Sequence, residues 1–394
     1  MILSISGRFL FFLYTRRMRG KKEFSPFELR LKVHYLIKKV FKSHFLFNTL
    51  FRSIVPKRNV FKPPAHQPQN TIPVLLNSTQ WQNNYFGICF DTDSFPWYTT
   101  FIHFCENNRL PYKIFNIHQS DWLEQSRPCD VIFWRPANAQ HSIKEAMMKV
   151  KILNEMGIKT FPPLYDLMLY ENKSLQFSLL RETGLPVVPT FISHDYDESR
   201  LFLKDRKMWP LVSKVKTGSA SIGVRLLKNE KEASHFLKKA FTRGIRYFWH
   251  GDRQKYYVLF QDYVDNMGYD LRIITAGDTF FGYYRYPKKN DFRASGSGFW
   301  SFTELPQDAL KLAQKVKTTL GLSDCSVDFI RDKNGTLHII EVSLFTLISS
   351  PAQAIVNEQP GYYIRQETGD FIFSEGYLWP QHLMLKHFLQ EYVV

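Results

Sequence analysis

The chain has 394 residues, of which 44% are hydrophobic and 16% are aromatic. This much apolar surface can offset the entropy of ordering, so the composition excludes a mainly disordered protein and predicts two or three packed domains. The four cysteines are scattered without a C-x-x-C spacing, which argues against a disulfide framework or a zinc site and favours a reducing compartment. No run of about 18 apolar residues occurs, so the sequence predicts no membrane-spanning helix.

The net charge of +16 is concentrated near the N-terminus. Residues 1–62 contain 15 basic residues and two acidic ones, whereas the rest of the chain is close to balanced. A balanced body argues against nucleic-acid binding as the function of the whole chain.

A basic amphipathic helix is predicted within this extension. Ser25-Pro26-Phe27-Glu28 has the form of a capping box, and apolar residues then recur at helical spacing between lysines. Two interpretations fit equally: the helix lies on an anionic membrane surface, or its apolar stripe packs on the protein itself. The first would place a cytoplasmic protein at the inner face of the membrane. Residues 56–68 read as a linker, so residues 1–70 are assigned to an extension and linker.

Residues 71–165 alternate short apolar runs with helical stretches, which is typical of a small α/β domain with a parallel sheet. The predicted strands are 72–76, 85–90, 112–117 and 130–134, and the predicted helices are 97–108 and 142–156. Near predicted strand ends, where α/β folds place ligands but ordinary loop residues are commoner, lie Asp91, Asp93, Arg135 and His141.

The second half is predicted to be α+β and rich in antiparallel strands. The predicted strands are 187–192, 210–216, 223–227, 256–264, 271–275, 280–286, 326–330 and 336–342. Asp328 and Glu341 each interrupt an apolar strand, and a turn at 332–335 would make these strands neighbours. Buried carboxylates need a cationic partner, which is either Mg²⁺ or an arginine or lysine. The residues alone leave both possibilities open.

A lysine followed by a loop of small residues suggests an anion site. Lys214 ends an apolar strand, and the loop 217–224 follows it with Gly218 and Gly223. Backbone N–H groups in such a loop can approach a phosphate and the lysine adds a charge, although an ordinary hairpin connection would have the same composition.

Further along the chain, polar residues suit the remaining parts of a nucleotide. The strand 259–264 could present backbone groups to an adenine edge, and Asp270 could accept hydrogen bonds from ribose hydroxyls. Arg272 interrupts an apolar strand, and Arg285 and Arg293 flank two lysines. Guanidinium groups suit the charge of a phosphoryl-transfer transition state, although a solvated loop would look similar around residues 285–293.

In this order the motifs resemble those of the ATP-grasp superfamily of carboxylate–amine ligases, most closely the group of glutathione synthetase and the ribosomal-protein glutamate ligase. The resemblance covers about residues 165–345 and includes a helix start at Glu171-Asn172-Lys173-Ser174. It implies two α+β subdomains, 166–255 and 256–394, which hold ATP between them and are preceded by the α/β domain of residues 71–165.

The resemblance also implies roles for individual residues. The implied nucleotide-binding residues are Lys173, Lys214, Gly218, Ser219, Gly223, Gln261, Asp262, Val264 and Asp270. The implied phosphate-facing and substrate-facing arginines are Arg272, Arg285 and Arg293, and the implied Mg²⁺ ligands are Asp328, Glu341 and Ser343. Two positions depart from the family pattern, since Ser343 and Ser295 stand where asparagine is usual.

The activity that the resemblance implies is ATP- and Mg²⁺-dependent amide formation. Transfer of the γ-phosphoryl group to a carboxylate would give an acyl phosphate and ADP, and an amine would then form the amide. The implied substrates are an amino acid, a peptide or a sugar acid. The alternatives are a kinase of the same fold, a nucleotide-binding protein without turnover, and a basic-tail module that binds RNA or anionic lipid.

Overall fold

The computed structural model describes residues 71–77, 79–91, 97–218, 221–246, 253–345 and 354–392. The chain divides into the units Met1–Arg58 and Asn59–Val394, and every described residue belongs to the second. The predicted basic helix and linker lie outside the described residues, as does Ser219. No helix in the described ranges combines the length and the apolar character that crossing a membrane requires.

The N-terminal layer is built on a parallel sheet with the strand order β2-β1-β3-β4. The strands are β1 (Phe86–Cys89), β2 (Tyr112–Phe115), β3 (Val131–Trp134) and β4 (Lys159–Phe161), and the helices between them are α1 (Trp97–Asn107), α2 (Trp122–Ser126) and α3 (Gln140–Glu155). Every residue of β1 and β3 is buried, as expected for a parallel sheet covered on both faces. The predicted α/β layer is confirmed.

The predicted strand at 72–76 is wrong. The Ile72 N–H donates to the Tyr377 carbonyl at 2.7 Å, and the Asn108 side chain accepts from the Leu76 N–H at 2.7 Å and donates to the Val74 carbonyl at 3.1 Å. A side chain therefore satisfies backbone groups that a neighbouring strand would otherwise have bonded. The sequence did not predict β4, whose three residues are too few to show a periodicity.

The central part of the chain forms a four-stranded antiparallel sheet with the order β5-β10-β6-β7. Its elements are α4 (Leu164–Leu169), α5 (Lys173–Arg181), β5 (Thr190–Ser193), α6 (Tyr196–Asp205), β6 (Leu211–Ser213), β7 (Arg225–Leu227), α7 (Glu230–Phe241), the separate pair β8 (Ile245–Arg246) and β9 (Arg253–Gln254), and β10 (Val258–Asp262). Leu203 of α6, Phe236 of α7 and Phe260 of β10 share one hydrophobic core, so both helices cover this sheet.

A larger antiparallel sheet follows, with the order β15-β14-β11-β12-β17-β16 and with β13 and β18 paired to β12 and β17. Its elements and helices are β11 (Asn266–Ala276), β12 (Thr279–Tyr286), β13 (Phe299–Ser301), α8 (Gln307–Leu320), β14 (Ser326–Asp332), β15 (Leu337–Ser343), β16 (Ile355–Val356), β17 (Gln359–Arg365), β18 (Phe371–Glu375) and α9 (Pro380–Tyr392). The predicted β14–β15 hairpin is confirmed, with Gly335 at a φ of 89° in its turn.

Candidate functional site

One face of the large sheet carries a row of charged side chains, which we call the charged face. Arg272 of β11 lies opposite Asp328 of β14, and Asp328 lies opposite Glu341 of β15. On the neighbouring row, Asp270 of β11 lies opposite Arg285 of β12. Alternate residues of a strand point to the same side, so Asp270 and Arg272 share this face. The strand register therefore gathers five ionisable groups from four strands.

Salt bridges join the members of the charged face. Nε and Nη2 of Arg272 donate to the two carboxylate oxygens of Asp328 at 2.6 and 2.7 Å. Nη2 of Arg285 donates to Asp328 Oδ2 at 2.7 Å, while its Nε donates to Asp270. Two guanidinium groups therefore compensate the charge of Asp328. The sequence left open whether Mg²⁺ or a basic side chain would do so, and the structure shows the basic side chains.

The two buried aspartates differ in pKa because they have different numbers of cationic partners. Burial alone would raise the pKa of Asp328, but Arg272 and Arg285 outweigh burial and hold it below the ordinary value. Burial raises the pKa of Asp270, and Arg285 opposes this only in part. Asp328 is thus firmly ionised, whereas the charge on Asp270 is less favoured.

Two buried lysines reach the charged face from the central part of the chain. Lys173 is the first residue of α5, and its Nζ lies 2.9 Å from Glu341 Oε1 and 3.1 Å from the Gly218 carbonyl oxygen. Lys214 directly follows β6, and its Nζ donates to the Ile340 carbonyl at 2.8 Å. Both lysines, which the sequence predicts as nucleotide ligands, therefore lie beside the same carboxylates.

These lysines differ in pKa although both are buried. Burial lowers the pKa of Lys214 to about 8, because Glu341 compensates for the loss of water only in part. Burial acts on Lys173 in the same direction, but Glu341 and Glu171 outweigh it and raise the pKa. Lys173 is thus held as a cation, while Lys214 can release its proton slightly above neutral pH.

Around this face the ionisable side chains are matched in number. The cations are Lys173, Lys214, Arg272 and Arg285, and the carboxylates are Glu171, Asp270, Asp328 and Glu341. A polyphosphate bound here would add negative charge, which a divalent cation arriving with it would offset. The balance would thus be kept if a polyphosphate and a divalent cation bound here together.

The loop between β6 and β7 is bonded to the residues that precede α5. The Glu171 carboxylate accepts from the Gly218 N–H at 2.8 Å, and the Glu171 carbonyl accepts from the Thr217 hydroxyl at 2.8 Å. Glu171 has a φ of 52°, an uncommon conformation for a residue with a Cβ. Gly218 thus already presents its N–H to an anionic oxygen. Sequence reasoning missed Glu171, and its place two residues before Lys173 was the only available signal.

Gly223 closes the same loop in a conformation that requires glycine. Its φ is 90°, and a Cβ at this position would lie 2.6 Å from Val215 Cγ2. The Ser221 hydroxyl donates to the Ser295 carbonyl at 3.0 Å, so this loop contacts the loop that follows β12.

Arg293 does not join the charged face. It lies on the loop after β12, where its Nε and Nη2 donate to the Asp291 carboxylate at 2.9 and 2.8 Å, and its side chain is 40% exposed. Because Arg293 lies on a loop, strand pairing does not place it on the charged face. Its predicted contact with substrate stays a prediction.

The predicted adenine strand is present as β10, but its side chains make structural bonds. Gln261 donates to the Thr190 hydroxyl at 3.0 Å, and Asp262 forms a salt bridge of 2.8 Å with Arg206. Val264 accepts from a nearby side-chain amide through its carbonyl. Contact of this strand with adenine stays a prediction, and it would involve backbone groups. Contact of Asp270 with ribose also stays a prediction, and it would require the hydrogen bond from Arg285 to Asp270 to break.

The polar residues singled out in the N-terminal layer lie outside the charged face. Asp91 accepts from the Trp134 indole at 3.1 Å, and Arg135 lies 5.7 Å from the centre of the Trp97 ring. His141 is exposed, and Asp93 lies outside the described residues. This layer instead reaches the site through Gln140, whose side chain donates to the Thr217 hydroxyl.

The oxygen atoms of Asp328, Glu341 and Ser343 are of the type that Mg²⁺ prefers. Glu341 is 26% exposed at its side chain, and the Ser343 hydroxyl donates to its Oε1 at 3.2 Å. Among the described residues, no group of three or more histidine, cysteine or acidic side chains is placed to hold a metal by itself. The donor atoms fit Mg²⁺, but the remaining ligands would have to come from a bound nucleotide.

Residues 170–355 match the family model described as the RimK-like ATP-grasp domain. This stretch includes both buried lysines, the loop between β6 and β7 and the whole charged face. These residues are similar to the RimK-like ATP-grasp family. The mixed α+β architecture and the antiparallel sheets agree with the ATP-grasp fold that the sequence predicts.

About half of the chain also resembles curated proteins. A probable alpha-L-glutamate ligase of Haemophilus influenzae (strain PittEE) is 28% identical over 210 residues, which are 52% of this chain and 64% of that protein. The ribosomal protein bS6–L-glutamate ligase of Escherichia coli O139:H28 is 28% identical over 176 residues, which are 44% of this chain and 55% of that protein. The chain thus matches less than two thirds of the length of these relatives.

Among solved structures, a D-alanine–D-alanine ligase from Bacillus anthracis is similar, with a TM-score of 0.48 and 16% identity. The similarity covers 66% of this chain and 86% of that one.

Proposed function

We propose that the protein is an ATP-dependent ligase that joins a carboxylate to an amine and releases ADP. The observation that carries this proposal is the charged face, where two buried lysines, one at the start of α5 and one after β6, meet two arginines and three carboxylates of the large sheet. Phosphoryl transfer depends on positioning and charge neutralisation more than on a protein nucleophile, and this arrangement supplies both.

In the proposed reaction a substrate carboxylate oxygen attacks the γ-phosphorus of ATP, and the bond to the β-phosphate oxygen breaks to release ADP. The amine nitrogen of the second substrate then attacks the carbonyl carbon of the acyl phosphate. Inorganic phosphate leaves with the bonding electron pair, and the nitrogen loses a proton to solvent. The amide therefore forms without a covalent bond to the protein.

The chain's own residues would bind and orient the phosphates. Lys173 and Lys214 would contact phosphate oxygens, and the Gly218 N–H would exchange the Glu171 carboxylate for a phosphate oxygen. Arg272 and Arg285 hold Asp328 in place from two sides. Their positive charge would also oppose the negative charge that develops on the phosphoryl group.

Magnesium would be held by Asp328, Glu341 and Ser343 together with the phosphates. Bound there, it would neutralise phosphate charge during transfer. Arg272 orients Asp328 from the side away from Glu341, because Arg272 and Glu341 lie on opposite neighbouring strands in the register.

The names of the curated relatives make L-glutamate the first amine to test. The bS6 ligase is named for a ribosomal protein, so peptides with a free C-terminal carboxylate are the first acceptors. These substrates belong to the proposal.

The test is to incubate the full chain with ATP, Mg²⁺, L-glutamate and a pool of peptides, in the presence and absence of hydroxylamine. ADP, AMP and hydroxamate are measured together. The expected products are ADP and a peptide extended by glutamate, with hydroxamate replacing the amide when hydroxylamine is present. Glu341→Gln should abolish all of them, and Glu375→Gln, an exposed position on β18, should not.

Other outcomes would contradict the proposal. AMP in place of ADP would mean adenylyl transfer. ADP with a phosphorylated hydroxyl and no hydroxamate would favour the kinase, and tight ATP binding without any turnover across broad carboxylate and amine pools would favour a binding protein.

A further inference from the structure

A second polar site lies apart from the charged face, in a cavity of about 20 Å³. Asp166 of α4 lines it on one side, and Ser323 and Asp324, just before β14, line it on another. Leu344 and Met384 of α9 complete an apolar part of the wall. A cavity of this size holds one water molecule or one ion of similar size.

Each polar side chain of this cavity has one oxygen atom without a hydrogen-bond partner. Asp166, Ser323 and Asp324 are 3%, 1% and 7% exposed. In the part of the chain that the structure describes, the buried atoms Asp166 Oδ1, Ser323 Oγ and Asp324 Oδ2 make no hydrogen bond. Leaving such atoms unsatisfied is costly, and a carboxylate oxygen more so than a hydroxyl. Three orphan oxygens around one small cavity point to a ligand that accepts electron pairs.

The surrounding charges define that ligand further. Lys317 Nζ lies 3.9 Å from Asp324 Oδ1, and His387 lies 3.8 Å from Asp324 Oδ2 and 2.9 Å from Glu391. The Glu391 side chain is 54% exposed and its charge is solvated, so the buried groups decide the balance. With a neutral histidine, the two aspartates exceed Lys317 by one negative charge, which one monovalent cation would compensate.

We propose that this cavity binds one alkali cation, Na⁺ or K⁺, through Asp166 Oδ1, Asp324 Oδ2 and Ser323 Oγ. Oxygen ligands are those of hard cations, and one positive charge matches the deficit. The cation connects α4 to the start of β14, four residues before Asp328. It is a stabilising ion, and the proposal does not depend on the ligase activity.

The competing occupant is a water molecule beside a protonated aspartate. A protonated carboxyl group lacks the negative charge that binds a cation, so a proton and a cation exclude each other at this site. The cation should therefore stabilise the protein more above pH 7, where aspartates are ionised, than at low pH.

The experiment measures the Tm of the full chain in KCl, NaCl or choline chloride at constant ionic strength, above and below pH 7. Above pH 7 we expect K⁺ or Na⁺ to raise the Tm saturably by about 2–4 °C relative to choline. Comparing the two salts identifies the ion. Equal Tm values in all three salts would overturn the proposal and leave the water with a shared proton as the occupant.

Three variants locate the effect. Asp166→Asn removes one of the two facing carboxylates, so it should abolish the response to the cation and raise the Tm in choline chloride. Ser323→Ala keeps the charge and removes one ligand, so it should raise the half-saturating cation concentration several-fold, and it decides the matter if Asp166→Asn does not fold. Asp370→Asn, in an exposed pair with Lys311, should behave as the unsubstituted chain does. A full response in Asp166→Asn would place the ion elsewhere and overturn the proposal.

Crystals grown with Rb⁺ or Tl⁺ provide an independent readout. An anomalous peak between Asp166 and Asp324 is expected, and its absence at saturating Tl⁺ would contradict the proposal.

Discussion

Lys173 and Lys214 are the same residue type, are buried to a similar extent and lie beside the same strand, yet they carry their charge differently. Lys173 is paired with the Glu341 carboxylate, whereas Lys214 donates to a backbone carbonyl. A carboxylate compensates for lost water better than a neutral carbonyl does, so the partner decides the protonation state.

The lowered pKa of Lys214 predicts a pH dependence of ATP use. Above a pH of about 8, Lys214 in the free protein loses the charge that attracts phosphate. The logarithm of kcat/KM for ATP should therefore fall by about one per pH unit above that value. The Lys214→Arg variant keeps a positive charge at this position, so its kcat/KM should not fall above pH 8. The Lys216→Arg variant should show the same fall as the unsubstituted chain. If kcat/KM still falls above pH 8 in Lys214→Arg, another group is responsible for the titration.

Two arginine–aspartate pairs should contribute differently to the free energy of unfolding, because one is buried and the other is largely exposed. Arg272 makes its fork with Asp328 in the interior, and Arg331 makes a similar fork with Asp308, which is 55% exposed. Arg272→Met should lower the free energy of unfolding by about 3–5 kcal/mol, because it removes one of the two arginines that compensate Asp328. Arg331→Met should cost less than about 1 kcal/mol. Urea unfolding measures both, and equal losses would contradict this view of the charged face.

Ser343 should set the Mg²⁺ requirement. Its hydroxyl contacts Glu341, and it is the position at which the resemblance to the ATP-grasp ligases implies asparagine. Ser343→Asn supplies an amide oxygen and should lower the half-saturating Mg²⁺ concentration at fixed ATP, whereas Ser343→Ala should raise it by about tenfold. Both are read from initial rates of ADP formation. An unchanged Mg²⁺ requirement in both variants would remove Ser343 from the metal site.

At the scale of elements, the loop between β6 and β7 depends on Gly223. A Cβ would combine an unfavourable φ with a clash at Val215, whereas Gly184 has a similar φ of 67° and no atom within 4 Å of its Cβ position. Gly184→Ala should therefore lose only about 1 kcal/mol of stability and keep its affinity for ATP. Gly223→Ala should also weaken ATP binding, measured by titration calorimetry, since the loop must shift away from Val215. Equal ATP affinities in the two variants would contradict a role of this loop in binding.

Secondary-structure elements with a local sequence signal were predicted well. Pairings between residues far apart in the chain could not be predicted. The β14–β15 hairpin followed from a turn within a few residues of both strands. The pairing of Arg272 with Asp328 depends on which strands become neighbours across 56 residues, and no local pattern encodes that. The strand expected at 72–76 failed for a similar reason, because Asn108, far along the chain, bonds its backbone. The sequence therefore predicted the residues that the sheet brings together on the charged face, but it did not predict which of them pair.

At the scale of the whole molecule, charge and described structure are separated along the chain. The basic excess lies in residues 1–62, and all described elements follow Asn59. A chain that begins at Asn59 should therefore keep its Tm and its ADP formation. It should lose any binding to anionic vesicles, measured by co-sedimentation at low and high salt. Vesicle binding that survives the deletion, or that the full chain lacks, would favour the interpretation in which the predicted helix packs on the protein.

The bond between Lys214 and the Ile340 carbonyl joins residues 126 positions apart. Contacts over such distances form late, because a long loop must close first. During synthesis the charged face is incomplete until β15 has emerged from the ribosome and paired with β14. A nascent or partly folded chain should therefore be unable to engage ATP, and acquisition of nucleotide binding should report that the large sheet has finished folding.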